Sequence, residues 1–331
     1  MEVGNERIPN DTERGLAELV VGLDGSAASA AALRWAVTQL DVQGVGVQGV
    51  GVEGVGVEGV GVEGRVHAAH AVAPAEELAL DAALGDSVRL LHHRETELCE
   101  QWIPTAVPGE PGDRVEAVVR EGSVAGALLR LGDEVGADAI VVGHHARSRH
   151  GPRVVGHVTA TLLRTAERPV VIVPLDWDPA HTCDRPVAVG VGTSRGTEAA
   201  LRWTLTHPGL VRNGLLLVHA YGPRSIFRPE GWLDVLAYHL DPTVLTEWVE
   251  EDLLDLARRL QTETGTDVSV TVSVQPGRTG PRLVEAGEAA GMLVIGRAEP
   301  PFIRSRTIAP YLRHAIVHSP CPVVVVPAPD R

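Results

Sequence analysis

The sequence contains no lysine; all 29 of its basic residues are arginines. That excludes a P-loop lysine, a Schiff-base lysine and a kinase lysine. Any phosphate held by this chain must meet backbone N–H groups, Arg or His. A GC-rich coding bias accounts for the absence, but the chemical consequence is the same whatever its origin. Cysteine is scarce as well. Cys99, Cys183 and Cys321 form no CxxC pair, which argues against a disulfide scaffold and against a zinc ribbon. Positive charge is in deficit, with 43 acidic residues against 29 basic ones and a formal net charge of -14. A duplex-DNA binder needs the opposite balance, so nucleic acid is not the expected partner. No run approaches 18 apolar residues of membrane-spanning character. The opening MEVGNERIPNDTERG also lacks the apolar centre of a signal peptide. These absences lead us to expect a soluble, cytoplasmic protein that does not engage a membrane.

What is present is an ordinary folded composition, 44% hydrophobic and 22% charged over 331 residues. At roughly 150 residues per domain this length suggests two domains, and an internal repeat supports that count. Residues 19–35, LVVGLDGSAASAAALRW, align with 187–203, VAVGVGTSRGTEAALRW. DAIVVGHHARS at 138–148 matches GMLVIGRAEPP at 291–301, and RPVVIVP at 168–174 matches CPVVVVP at 321–327. The reading is one domain duplicated in tandem over 15–177 and 184–329, joined by a Pro- and Asp-containing linker near Asp176–Arg185.

Short Val/Ile/Leu runs alternate with helical patterns in each copy. Strands are expected near 19–23, 65–72, 114–120, 138–142 and 169–173, then near 186–191, 213–219, 267–274, 292–295 and 322–326. Runs such as IVVG and VVIVP are apolar without alternation, as strands covered on both faces should be. Over 242–263, Leu245, Trp248, Leu253, Leu256 and Leu260 form an apolar stripe at helical spacing. The expected fold class is α/β: two tandem, doubly wound, parallel-sheet domains of Rossmann-like, flavodoxin-type architecture.

Residues 42–64 repeat VGV(E/Q)G with a period of five, which holds no strand face and makes helix costly. They read as a flexible loop between the first helix and the second strand, and replication slippage is the plainer account of their origin. The GVGVQG match to a dinucleotide fingerprint inside them follows from the repeat itself, and no strand precedes it.

In an open α/β sheet, ligands sit beyond the carboxyl ends of the strands where the strand order reverses. Two such ends in the first copy carry unusual residues. Gly22-Leu23-Asp24-Gly25-Ser26 follows the first strand. Gly143-His144-His145-Ala146 follows the fourth, then Arg147, Arg149 and Arg153, with Gly156-His157-Val158-Thr159 opening a helix. Glycines before a helix N-terminus let N–H groups face an anion, and the arginines suit a polyphosphate. Asp24 could accept a hydrogen bond from a ribose hydroxyl or a base; the alternative is an N-cap for the following helix.

This constellation, with the opening VVGLDGS and the closing RPVVIVP, resembles a tandem universal stress protein over nearly the whole chain. ATP-binding members of that family carry G-x2-G-x9-G-(S/T). Here Gly143, Ala146 and Gly156-His157 keep the spacing, with Ala for the second Gly and His for the hydroxyl residue. The resemblance implies bound ATP, with or without Mg2+. It places Leu23, Asp24, Ala71 and Val142 on the adenosine side and His145, Ala146, Gly156, His157, Val158 and Thr159 on the phosphate side, with Gly143 also among the cofactor-binding residues. The second copy has Gly192 for Asp24, Glu299 for Ala146 and Ala309-Pro310 for Gly156-His157, so it is not expected to bind ATP in this way. The resemblance also implies that 169–173 and 322–326 pair edge to edge as an intrachain pseudo-dimer, with a homodimer as a further option. Apolar edges of this kind need a partner in any case.

The sequence also offers signals of other chemistries. Gly192-Thr193-Ser194-Arg195-Gly196 reads as G-x-S-x-G, a nucleophile-elbow pattern for which His314 or His318 could be proposed as base. Ser194, however, aligns with Ser26, where no elbow exists. Gly190, Gly192 and Gly196 loosely match a nicotinamide pattern, without the acid that would hold a ribose. His144, His145, His150 and His157 lie near one loop but lack metal-type spacing. No catalytic constellation emerges, so a signalling or stress-response binding module is expected rather than an enzyme. Slow ATP hydrolysis, known in some relatives, stays open. The alternative is an interaction protein that has lost nucleotide binding.

Overall fold

The structure, a computed structural model, describes residues 16–44, 64–72, 85–107, 112–144, 154–181, 184–192, 195–221, 242–297 and 308–328. The first copy supplies β1 (Glu18–Gly22), α1 (Ala27–Gly44), β2 (Arg65–Val72), α2 (Gly85–Ala106), β3 (Val115–Glu121), α3 (Val124–Val135), β4 (Ala139–His144), α4 (His157–Thr165) and β5 (Val170–Pro174). The second supplies β6 (Val187–Gly190), α5 (Arg195–Leu205), β7 (Leu215–Tyr221), α6 (Pro242–Thr264), β8 (Val270–Pro276), α7 (Thr279–Ala289), β9 (Met292–Gly296), α8 (Pro310–His318) and β10 (Val323–Val326). The expected strands are all present. Most of the pentapeptide repeat, residues 45–63, lies outside the described residues.

All ten strands form one sheet in the order β3-β2-β1-β4-β5-β10-β9-β6-β7-β8. Each half runs 3-2-1-4-5 with parallel neighbours, so the order reverses between the first and fourth strands of each copy. The halves meet at β5 and β10, which pair antiparallel with Val171 opposite Val324. These are the two closing strands whose apolar edges called for a partner. Because the pairing is antiparallel, the strands of the two halves point in opposite directions. The candidate ligand end of one half therefore lies at the far end of the sheet from its counterpart.

The apolar strand runs are buried on both faces, as their lack of alternation requires. On one face α1, α2, α5 and α6 cover a core that includes Trp35, Leu201 and Leu260. On the other, α3, α4, α7 and α8 cover a core that includes Leu128, Leu162, Leu283 and Leu312. Both cores run unbroken across the joint. Val171, Val173, Val324 and Val326 belong to the first, and Val170, Ile172, Val323 and Val325 to the second. Each such side chain contributes about 1.5–3 kcal/mol through burial, so separating the halves would expose a costly strip.

Local signals explain the element ends. Ser123 caps α3 by accepting from the Gly126 N–H at 3.2 Å, and Gly136 ends it with φ 63°. The stripe on α6 is buried at Leu245, Val249, Leu253, Ala257 and Leu260. Trp248, expected on that stripe, is only half-buried, because Val249 is the residue one turn beyond Leu245.

Candidate functional site

The first copy's strand-order reversal falls between β1 and β4, which are in register from Leu19 opposite Ala139 to Val21 opposite Val141. Leu23 and Asp24 follow β1, Ala71 lies near the end of β2, and Val142 and Gly143 lie near the end of β4. The structure thus brings these five residues to one end of the sheet. Helix α4 runs back from β4 toward the start of β5, so its first turn, His157-Val158-Thr159, opens at that same end. His145 and Ala146 lie outside the described residues.

The turn after β1 is fixed by short-range chemistry. Asp24 Oδ1 accepts the Ser26 N–H at 3.0 Å, and Ser26 Oγ accepts the Ser29 N–H at 3.2 Å. The cap of α1 is therefore Ser26, while exposed Asp24 shapes the turn that presents it. Gly25 sits at φ 74°, and a Cβ there would lie 2.7 Å from the Trp102 ring. Trp102, on α2, meets His70 edge-on at 5.3 Å, and His70 Nδ1 lies 2.8 Å from the Leu23 carbonyl. The Leu23 N–H donates to Ala69 O at 2.8 Å and its side chain belongs to the α1–α2 core. Leu23 is thus fully engaged in building the turn. The Val142 side chain belongs to the opposite core.

Gly143 is required by packing: a Cβ there would stand 2.2 Å from the Ala28 carbonyl oxygen. The start of α1 thereby lies directly against the end of β4. Gly156, the N-cap of α4, supplies no side-chain hydrogen bond, and the space beside its Cα is open. Gly156 and His157 are exposed, Val158 is half-buried and Thr159 is buried. Gly156 therefore gives the first N–H groups of α4 no side-chain cap of its own, an arrangement suited to an anion.

The second half repeats the framework, with Gly192 in the place of Asp24. Gly296 matches Gly143, with a Cβ 1.8 Å from the Gly196 carbonyl oxygen. His219 Nδ1 lies 3.0 Å from Val191 O, matching His70 and Leu23. Thr197 Oγ1 accepts the Gly192 N–H at 2.9 Å, as Ser29 Oγ accepts that of Asp24 at 3.3 Å. Its α8, however, starts at Ala309-Pro310 with proline in the first turn. Ser194 and Glu299 lie outside the described residues. His314 and His318 stack on each other on α8 at 4.5 Å, with the His314 side chain against Gly280 of α7.

No sequence motif singles out His70, Trp102 or Arg297. For His70 a signal existed, since it and His219 hold the same place in the repeat. Burial pushes the Cys99 and Cys321 thiols up to about 11, which leaves both poor nucleophiles. Among the described residues, no cluster of three His, Cys, Asp or Glu side chains is placed to hold a metal. No helix among them is long and apolar enough to cross a membrane.

Comparison with known proteins matches this architecture to one family. The model of the universal stress protein family matches the chain twice, over residues 17–174 and 185–327. A universal stress protein of Mycobacterium tuberculosis is 25% identical over 283 residues, covering 84% of each chain. One of Mycolicibacterium smegmatis is 25% identical over 301 residues, covering 87% of this chain and 88% of its own. The crystal structure of a universal stress protein from Archaeoglobus fulgidus superposes with a TM-score of 0.62 at 15% identity, over 97% of this chain and 100% of that one. Two domain matches spanning nearly the whole length, on a sheet that repeats one strand order twice, show that this chain belongs to the universal stress protein family.

Proposed function

We propose that this protein is a nucleotide-responsive stress module that binds ATP in its N-terminal half and uses its C-terminal half as a structural partner. The observation that carries this reading is the first turn of α4. Its N-cap, Gly156, offers no side-chain hydrogen bond, and the turn opens at the strand-order reversal, on the same sheet end as exposed Asp24. A helix N-terminus of this kind favours negative charge by about 0.3–1 kcal/mol per interaction, and several N–H groups can share one polyphosphate.

In this reading Asp24 accepts from the ribose, Ala71 and Val142 line the adenine side, and His145, Ala146 and the residues from Gly156 to Thr159 meet the phosphates. Any Mg2+ arrives with the triphosphate. In this reading the module binds and reports the nucleotide.

The test is calorimetric titration of the full chain with ATP, alongside Asp24→Arg. The expected result is saturable binding that the variant loses. Equal binding by the variant, or none by the wild type, would contradict the reading. Absence in the wild type would favour the alternative, an interaction protein built on the continuous two-half core.

A further inference from the structure

Arg297 is the first residue beyond β9, at the place in the second half that His144 holds in the first. Its backbone is pinned: the N–H donates to Val326 O at 2.7 Å, and its carbonyl lies against Gly196. Its side chain crosses to the other half. Nη1 donates to Leu163 O at 3.1 Å and to Ala166 O at 2.9 Å. These carbonyls belong to the last turn and C-cap of α4, at residues that are themselves buried. Carbonyls at a helix C-terminus lack intrahelical partners, and a cation there also meets the negative end of the helix dipole.

Helix α4 therefore has one end at the proposed phosphate site and the other held by the opposite half. It spans only nine residues, His157–Thr165, so a shift at one end displaces the other. We propose that Arg297 is a positioning residue for nucleotide binding in the first half. The second half, unsuited to ATP at its own α8, uses the strand end beside its vestigial site to set the position of α4. The inference rests on the nucleotide reading given above. It adds a specific role for the second half and links the first half's site to the region around Arg297.

The experiment compares full-length wild type, Arg297→Ala and Arg297→Lys by titration with ATP and with AMP, and follows their thermal unfolding without ligand. The expected result for Arg297→Ala is a three- to tenfold weaker ATP affinity with AMP affected less, because the first turn of α4 faces the outer phosphates. Lysine, with one ammonium in place of the planar fork, should restore part of the ATP affinity. Should Arg297→Ala not fold, Arg297→Lys carries the test with the same ratio. Equal weakening of ATP and AMP, or ATP binding unchanged while the melting temperature falls, would overturn the positioning role. A wild type that binds neither nucleotide would instead overturn the nucleotide reading itself.

Discussion

The N-termini of α4 and α8 occupy equivalent places in the two halves, yet one begins Gly156-His157 and the other Ala309-Pro310. Around them the framework is the same. Gly143 and Gly296 both admit a neighbouring backbone, and His70 and His219 both hold the turn after the first strand. The halves thus separate two kinds of residue. What both keep is demanded by the sheet and its packing. What the first alone keeps, Asp24 and the glycine-led start of α4, has no structural duty that the second half could not discharge otherwise. The first glycine of the nucleotide motif belongs to the shared set, so its presence in the second half does not indicate a site.

The largest expected effect tests that division. Gly143→Ala and Gly296→Ala should each destabilise the protein by roughly 3 kcal/mol, since the added Cβ meets backbone that cannot swing aside. Denaturant unfolding checks this, and a cheap Gly296 substitution would show that the halves are not equivalent in packing. A smaller effect is expected at His157. His157→Ala should weaken ATP binding about threefold, because an imidazole N–H that could donate to a phosphate oxygen is lost. Unchanged affinity in calorimetry would remove His157 from the site.

The smallest effect concerns His207, after α5, whose pKa burial lowers despite the Trp203 carbonyl 2.6 Å from its Nδ1. The unfolded chain binds the proton more readily than the folded one. His207 therefore contributes stability above pH 6.5 that is lost as pH falls through its depressed folded value. His207→Gln should make stability less sensitive to acid in that window, by less than either glycine substitution costs. Parallel urea titrations at pH 7.5 and 5.5 would show it, and an unaltered pH dependence would contradict it.

Much of the fold was legible because strands buried on both faces must be apolar throughout, and the duplication confirmed each one by its partner. β8 was less legible. It was expected over 267–274 but spans Val270–Pro276, because its length follows its pairing with β7 up to Tyr221 opposite Pro276. The site was legible as residues but not as roles. The resemblance puts Leu23 and Val142 on the adenosine side, and the structure adds that their side chains belong to opposite cores. Sequence offered Asp24 as a cap, whereas Ser26 holds that place. Arg297 was illegible because its partners, Leu163 and Ala166, lie across a joint that no local pattern records.

The most direct test of the central claim, a single working site in the N-terminal half, is the nucleotide released on denaturing the purified, ATP-saturated protein after rapid removal of free ligand. The account predicts about one ATP per chain, lost in Asp24→Arg and retained when Gly192 is changed to Arg. Two per chain, or loss on altering Gly192, would place a functional site in the second half and contradict it.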